Sequence, residues 1–89
     1  MGKRFCDLKK HERVRIQTFL FEEYCAMGRR LGRIPTRTQR EEILRGAYRR
    51  VQEANIVISL EEVRQYFGSK ESRFRKRLAK EISKEEEQL

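Results

Sequence analysis

The stretch from Ser59 to Lys80, SLEEVRQYFGSKESRFRKRLAK, constrains this chain more than any other, because helix signals, a glycine and much positive charge coincide there. Ser59 followed by Glu62 has the form of a capping box, in which the hydroxyl takes a free backbone N–H and the carboxylate reaches back to the cap. Val63, Tyr66 and Phe67 then fall at i, i+3 and i+4, on one helical face. Gly68 reads as the stop, since glycine adopts the left-handed terminal conformation without steric cost. Ser69 reads as the cap of a second helix, whose apolar residues Phe74, Leu78 and Ile82 recur every four positions. At about 100° per residue these three centre on one side, and Arg73, Lys76, Arg77 and Lys80 centre roughly 150° away. The expectation is a pair of short helices, the second apolar on one face and cationic on the other.

Two short helices joined at a glycine, the second basic, resemble a helix-turn-helix DNA-binding domain, and the likeness covers residues 59–80. In that family an apolar residue precedes the turn glycine and others lie six and ten residues beyond it; Phe67, Phe74 and Leu78 hold those places around Gly68. Val63 fits the inward slot of the first helix. Arg64 stands where a small residue is usual, Ser69 where a β-branched apolar residue is usual, and Arg77 where an inward aliphatic is usual. These departures bear on the crossing angle and hence on groove reading. The resemblance implies DNA binding by the basic helix after Gly68, with Lys70, Arg73, Lys76, Arg77 and Lys80 toward the nucleic acid. The plain alternative is a helical hairpin whose charges are merely solvated.

The whole chain supports a folded, helical reading. Its 89 residues suffice for one domain with one modest core, and no repeat or linker divides them. Charged residues make up 40% of it and hydrophobic ones 37%, but the apolar residues are clustered and periodic, which argues for folding over disorder. The expected fold is all-α, a small domain of four helices near 8–28, 37–55, 60–67 and 70–84, without a sheet. A basic arm over 1–7 and an acidic, frayed tail over 85–89 flank it. The net charge is +8, and 15 of the 22 cationic residues are arginine, whose planar fork suits phosphates and guanine edges. Cationic partners are therefore disfavoured.

The first helix places Ile16, Leu20, Tyr24 and Met27 at helical spacing, and Val14, Phe19, Phe21 and Cys25 widen that face until more than one neighbour must cover it. It reads as the central core helix or as a homodimer interface. The chain then breaks at Gly28 or Gly32 and restarts at Pro35, with Thr36 and Gln39, or Thr38 and Glu41, as the next capping box. The short string LGRIPT ahead of a helix is similar to the loop that opens helices in bacterial sigma factors and other helical DNA-binding domains. Arg29, Arg30, Arg33, Arg37 and Arg40 crowd this loop. Arg29 and Arg30 suit the negative end of a helix dipole, whereas Arg37 and Arg40 lie at the positive end of the next helix. Cations placed against the dipole point to an anion bound there, a phosphate above all. In the second helix Ile43, Leu44, Ala47, Tyr48 and Val51 form the buried set, Glu41–Arg45 and Arg49–Glu53 are i, i+4 pairs, and Gly46 implies a close crossing. Asn55 reads as its stop, and Ile56 to Ile58 as a buried connector.

Other classes of function find less in the chain. Two scattered cysteines, Cys6 and Cys25, with the single His11 lack the paired spacing of a zinc site or a disulfide framework. No nucleotide loop, metal cluster or acid/base pair stands out, so neither an enzyme nor a cofactor is expected. No long apolar run implies a membrane partner or a signal segment, and the expected location is the reducing cytoplasm. Position 6, Cys6, lacks the Ser or Thr of a myristoylation signal. The leading expectation is nucleic-acid binding, DNA first, through the helix after Gly68 and the arginine loop. A protein-interaction module or homodimer using the first helix is one alternative. An RNA-binding, ribosome-associated protein is the other, since charge alone does not separate DNA from RNA.

Overall fold

The computed structural model describes residues 4–87, with side chains described through Ser83. A 3₁₀ turn at Phe5–Asp7 leads into three α-helices: α1 (Lys10–Leu31), α2 (Arg37–Glu53) and α3 (Leu60–Glu87). The fold is all-helical, as the periodicity predicts, with three α-helices where four were expected.

The helix ends follow from local chemistry. The Lys9 N–H donates to Glu12 Oε1 at 3.0 Å, which opens α1. The helix runs through Gly28 and ends at Gly32, whose φ of 70° is the left-handed value, with the Arg33 N–H donating to the Gly28 carbonyl at 3.2 Å. At the start of α2 the Thr36 N–H donates to Gln39 Oε1 at 2.9 Å, the reciprocal half of a capping box. Asn55, with φ of 59°, closes α2, and the Ile56 N–H donates to the Val51 carbonyl at 3.2 Å. In the connector Ile56 and Ile58 point inward, Val57 is 63% exposed, and the Tyr48 hydroxyl donates to the Ile58 carbonyl at 2.7 Å. Ser59 caps α3 by accepting the Glu62 N–H at 3.2 Å.

The expected break at Gly68 does not occur, and this is the main correction to the reading of 59–80 as two helices. Helix α3 stays helical from Leu60 to Glu87, and Gly68 has no positive φ. Phe67 and Phe74 are seven residues apart, two turns of helix, so one unbroken α3 carries both into the same core beside Val63 and Leu78. A mid-helix glycine costs about 1 kcal/mol against alanine. Exposing one of those large side chains costs several times more. The Ser69 hydroxyl, expected to cap a new helix, donates back to the Tyr66 carbonyl at 2.7 Å.

Pairings along the chain set the directions. Arg30 meets Glu42 and Arg50 meets Glu22 and Glu23, so α2 runs antiparallel to α1. Gln17 meets Tyr66, Phe21 meets Phe74 and Arg29 meets Glu81, so α3 runs parallel to α1. The core lies on the bundle axis: Ile16, Leu20 and Tyr24 of α1, Ile43, Leu44, Ala47 and Val51 of α2, and Val63, Phe67, Phe74 and Leu78 of α3. Tyr24, Phe67 and Phe74 form an aromatic triad with centroids 6.0–6.3 Å apart. A Cβ on Gly28 would lie 2.5 Å from Leu78 Cδ2, so the glycine that was a candidate break instead lets α1 and α3 approach closely. Gly46 is less tight, with only the Glu23 side chain within reach of a Cβ.

The flanks are described in part. Phe5 stacks on Tyr66 with centroids 3.9 Å apart, and its N–H lies 3.5 Å from Glu62 Oε2, so the arm is ordered from the turn onward. Helical backbone continues through Glu87, which takes in residues 85–87 of the expected frayed tail; residues 88 and 89, like 1–3, lie outside the described residues.

Candidate nucleic-acid interface

Arginine and lysine meet two different fates on this bundle, and the placement of glutamates decides which. Around α2 several of the cations are paired with glutamates. Arg30 pairs with Glu42 at 3.3 Å, Arg50 with Glu22 at 2.9 Å and Glu23 at 3.7 Å, and Arg64 with Glu41 at 2.7 Å. Arg40 pairs with Glu71 of α3, a carboxylate only 8% exposed. Of the expected i, i+4 pairs, Arg45 lies 3.9 Å from Glu41, and Arg49 and Glu53 are exposed.

On the outer face of α3 Arg73, Lys76, Arg77 and Lys80 are exposed, and Lys70 is half-buried at the head of the row. None of the five has a carboxylate partner among the described residues. Glu71 is the one acid between residues 70 and 80, and it turns inward to Arg40. Phe74 and Leu78 are buried on the opposite side, as the helical spacing requires. Two of the cations lean on aromatic rings: Arg77 sits 4.2 Å from the Phe21 centroid and Lys70 6.0 Å from that of Tyr66. Such contacts order a guanidinium or ammonium without consuming its charge.

The loop arginines divide. Arg29 lies 3.7 Å from Glu81, Arg30 donates to Glu42 and approaches the Met27 sulfur at 3.4 Å, and Arg40 is committed to Glu71. Arg33 and Arg37 are exposed, with no ion-pair partner among the described residues. The phosphate site expected at the start of α2 therefore has Arg37 available and not Arg40. The Thr36 hydroxyl is spent on Gln39 Oε1 at 2.7 Å.

What remains of α1 is informative by its burial. Ile16, Leu20, Tyr24, Cys25 and Met27 are consumed by α2 and α3, and Phe19 and Phe21 lie half-covered beneath Arg50 and Arg77. Val14, 52% exposed, is the large apolar residue of α1 left in solvent. The width of this face is thus accounted for within one chain. Cys25 is buried, which pushes its thiol up, while Cys6 is exposed in the 3₁₀ turn, so the two sulfurs share no site. Burial likewise pushes the Tyr24 phenol up; its hydroxyl, beside Arg75, has no hydrogen-bond partner of good geometry. Among the described residues no helix is long and apolar enough to cross a membrane.

Comparison with protein-family models, with curated proteins and with solved structures finds no match at a significant level. The side chains alone carry the functional argument.

Proposed function

We propose that this protein binds nucleic acid through the solvent face of α3, with Lys70, Arg73, Lys76, Arg77 and Lys80 gripping the phosphate backbone and Arg33 and Arg37 adding contacts from the α1–α2 loop. One observation carries the reading: α3 aligns five cations free of carboxylates among the described residues, whereas Arg29, Arg30, Arg40, Arg45, Arg50 and Arg64 are each paired with a glutamate. Uncompensated cations in a row repel one another and tie up counterions, and release of those counterions by a polyanion is the dominant driving force in phosphate binding. From the helix-turn-helix resemblance the proposal keeps the basic helix after Gly68 as the contacting element, and DNA as the first ligand to try. It replaces the hairpin with an unbroken helix laid along the backbone.

The test is the salt dependence of affinity. With about five phosphates engaged, the logarithm of affinity should fall against the logarithm of salt with a slope of about −4 to −5. Replacing Arg73, Lys76 and Lys80 together by Ala should flatten it by roughly two to three units. Binding weaker than about 10⁻⁴ M at physiological salt, indifferent to the triple substitution, would refute the proposal.

A further inference from the structure

Near the 3₁₀ turn the seam between α1 and α3 opens into a recess of about 330 Å³. Its lining is apolar at Phe5, Tyr66 and Val14 and cationic at Lys10, Arg13 and Lys70, and no acidic residue lines it. The Phe5 and Tyr66 rings lie stacked, 3.9 Å between centroids and 21° between planes, and both are half-exposed. Tyr66 has its hydroxyl engaged with Gln17 Oε1 at 3.2 Å, so what it offers an incoming group is ring surface. Arg13 is half-buried along the lining of the recess. Lys70 belongs to the recess and also heads the cationic row of α3.

Aromatic surface beside cations, in a recess whose own lining holds no acid, has a specific chemical complement. A planar, electron-poor heterocycle stacks on the rings, and anionic groups on either side of it meet the cations. Unpaired nucleotides have both parts. Bases within a duplex do not, since both their faces are covered by neighbouring pairs. We infer that the recess takes one unpaired nucleobase of a single-stranded nucleic acid, whose backbone then follows the cations of α3 from Lys70 toward Lys80. That row rises about 15 Å, at about 1.5 Å per residue. Neighbours at i+3 and i+4 lie about 5–6 Å apart, a spacing that an extended strand can match phosphate by phosphate. The inference rests on the nucleic-acid reading of α3 and deepens it: the ligand is a single strand, with a base seated at the Phe5–Tyr66 end.

The experiment compares, at one salt concentration, a short oligothymidylate, an oligouridylate, an abasic strand of the same length and charge, and a duplex. Binding is followed by anisotropy of an end-label. The expected result is that oligothymidylate or oligouridylate binds roughly 5- to 100-fold more tightly than the abasic strand, the range for one base on an aromatic platform, and more tightly than the duplex. Phe5→Leu, which keeps an apolar side chain against Tyr66, should erase the preference over the abasic strand and leave abasic affinity unchanged. Equal binding of abasic and normal strands by the native protein overturns the recess while leaving the phosphate reading of α3 standing. Duplex binding as tight as single-strand binding overturns it too. Failure of every polyanion to bind overturns the α3 reading itself. Should Phe5→Leu lose helical content, the comparison of normal with abasic strands on the native protein decides alone.

Discussion

The α2 side and the α3 face of this bundle are both rich in cations, yet they are built on opposite principles. On the α2 side four arginines have a glutamate within reach: Glu22 and Glu23 for Arg50, Glu41 for Arg64, Glu42 for Arg30, Glu71 for Arg40. On the outer face of α3, from Lys70 to Lys80, no such partner exists among the described residues. Net charge describes the chain as a whole. Pairing shows where that charge is still available, so a count of basic residues would have weighted Arg40 and Lys76 alike, and they do different things.

Both faces stand on the same aromatic core, so the largest effect comes from removing its centre. Phe74→Ala deletes a side chain that is fully buried against Phe21, Tyr24 and Phe67, and should cost about 3–5 kcal/mol in urea unfolding. That is a large part of what so small a domain has. A loss below about 1 kcal/mol would mean that the two faces are not joined through this triad.

The next effect should fall on the paired side alone. Glu71→Gln leaves the Arg40 guanidinium, whose Nε is already buried without a partner, facing a neutral amide. Because the Arg40 side chain is 40% exposed, part of the lost attraction is recovered from water. A cost of about 1–2 kcal/mol is expected in the same unfolding assay, with nucleic-acid affinity changed little. If affinity fell sharply while stability held, Arg40 would belong to the binding face after all.

How much of this could be read from the sequence depends on the range of the interaction concerned. The stops at Gly32 and Asn55, the Thr36–Gln39 cap and the burial of Phe74 and Leu78 all follow from residues within a few positions of one another, and the sequence patterns point to them. At Gly68 the local signal, glycine after Phe67, points to a stop, but the step of seven residues from Phe67 to Phe74 also suits an unbroken helix, and that is the form α3 takes. The sequence contains that step. Arg40 with Glu71 and Arg64 with Glu41 join positions far apart in the chain, so no spacing rule reveals them. Phe5 on Tyr66 was hidden for the same reason: its partner lies on the last helix.

The continuity of α3, on which the cationic row depends, predicts a gain in stability. Gly68→Ala places a methyl where nothing lies within 4 Å and no left-handed backbone is needed. Alanine should therefore raise stability by about 0.5–1 kcal/mol through helix propensity and a less flexible unfolded chain. A helix pair turning at Gly68 would instead lose stability with this change, so the sign separates the two architectures.

The smallest effect separates the two faces most cleanly. Along α3 Arg73 and Lys76 are i, i+3 neighbours, and Arg73 with Arg77 and Lys76 with Lys80 are i, i+4 neighbours, all of like charge. Each such pair destabilises a helix by about 0.2–0.5 kcal/mol at low salt, and glutamine has nearly the helix propensity of lysine and arginine. Replacing Arg73, Lys76 and Lys80 together by Gln should therefore raise stability by up to about 1 kcal/mol at low salt, with the gain fading as salt screens the repulsion. Arg50→Gln, on the paired side, should do the reverse, because it abandons Glu22 and Glu23 and uncovers the Phe19 ring. Opposite signs from the same chemical change would identify the α3 cations as a cost to folding that only a bound anion offsets. A loss of stability from the triple change would show that these cations already have partners within the chain, and the α3 row would then join the paired side of the comparison.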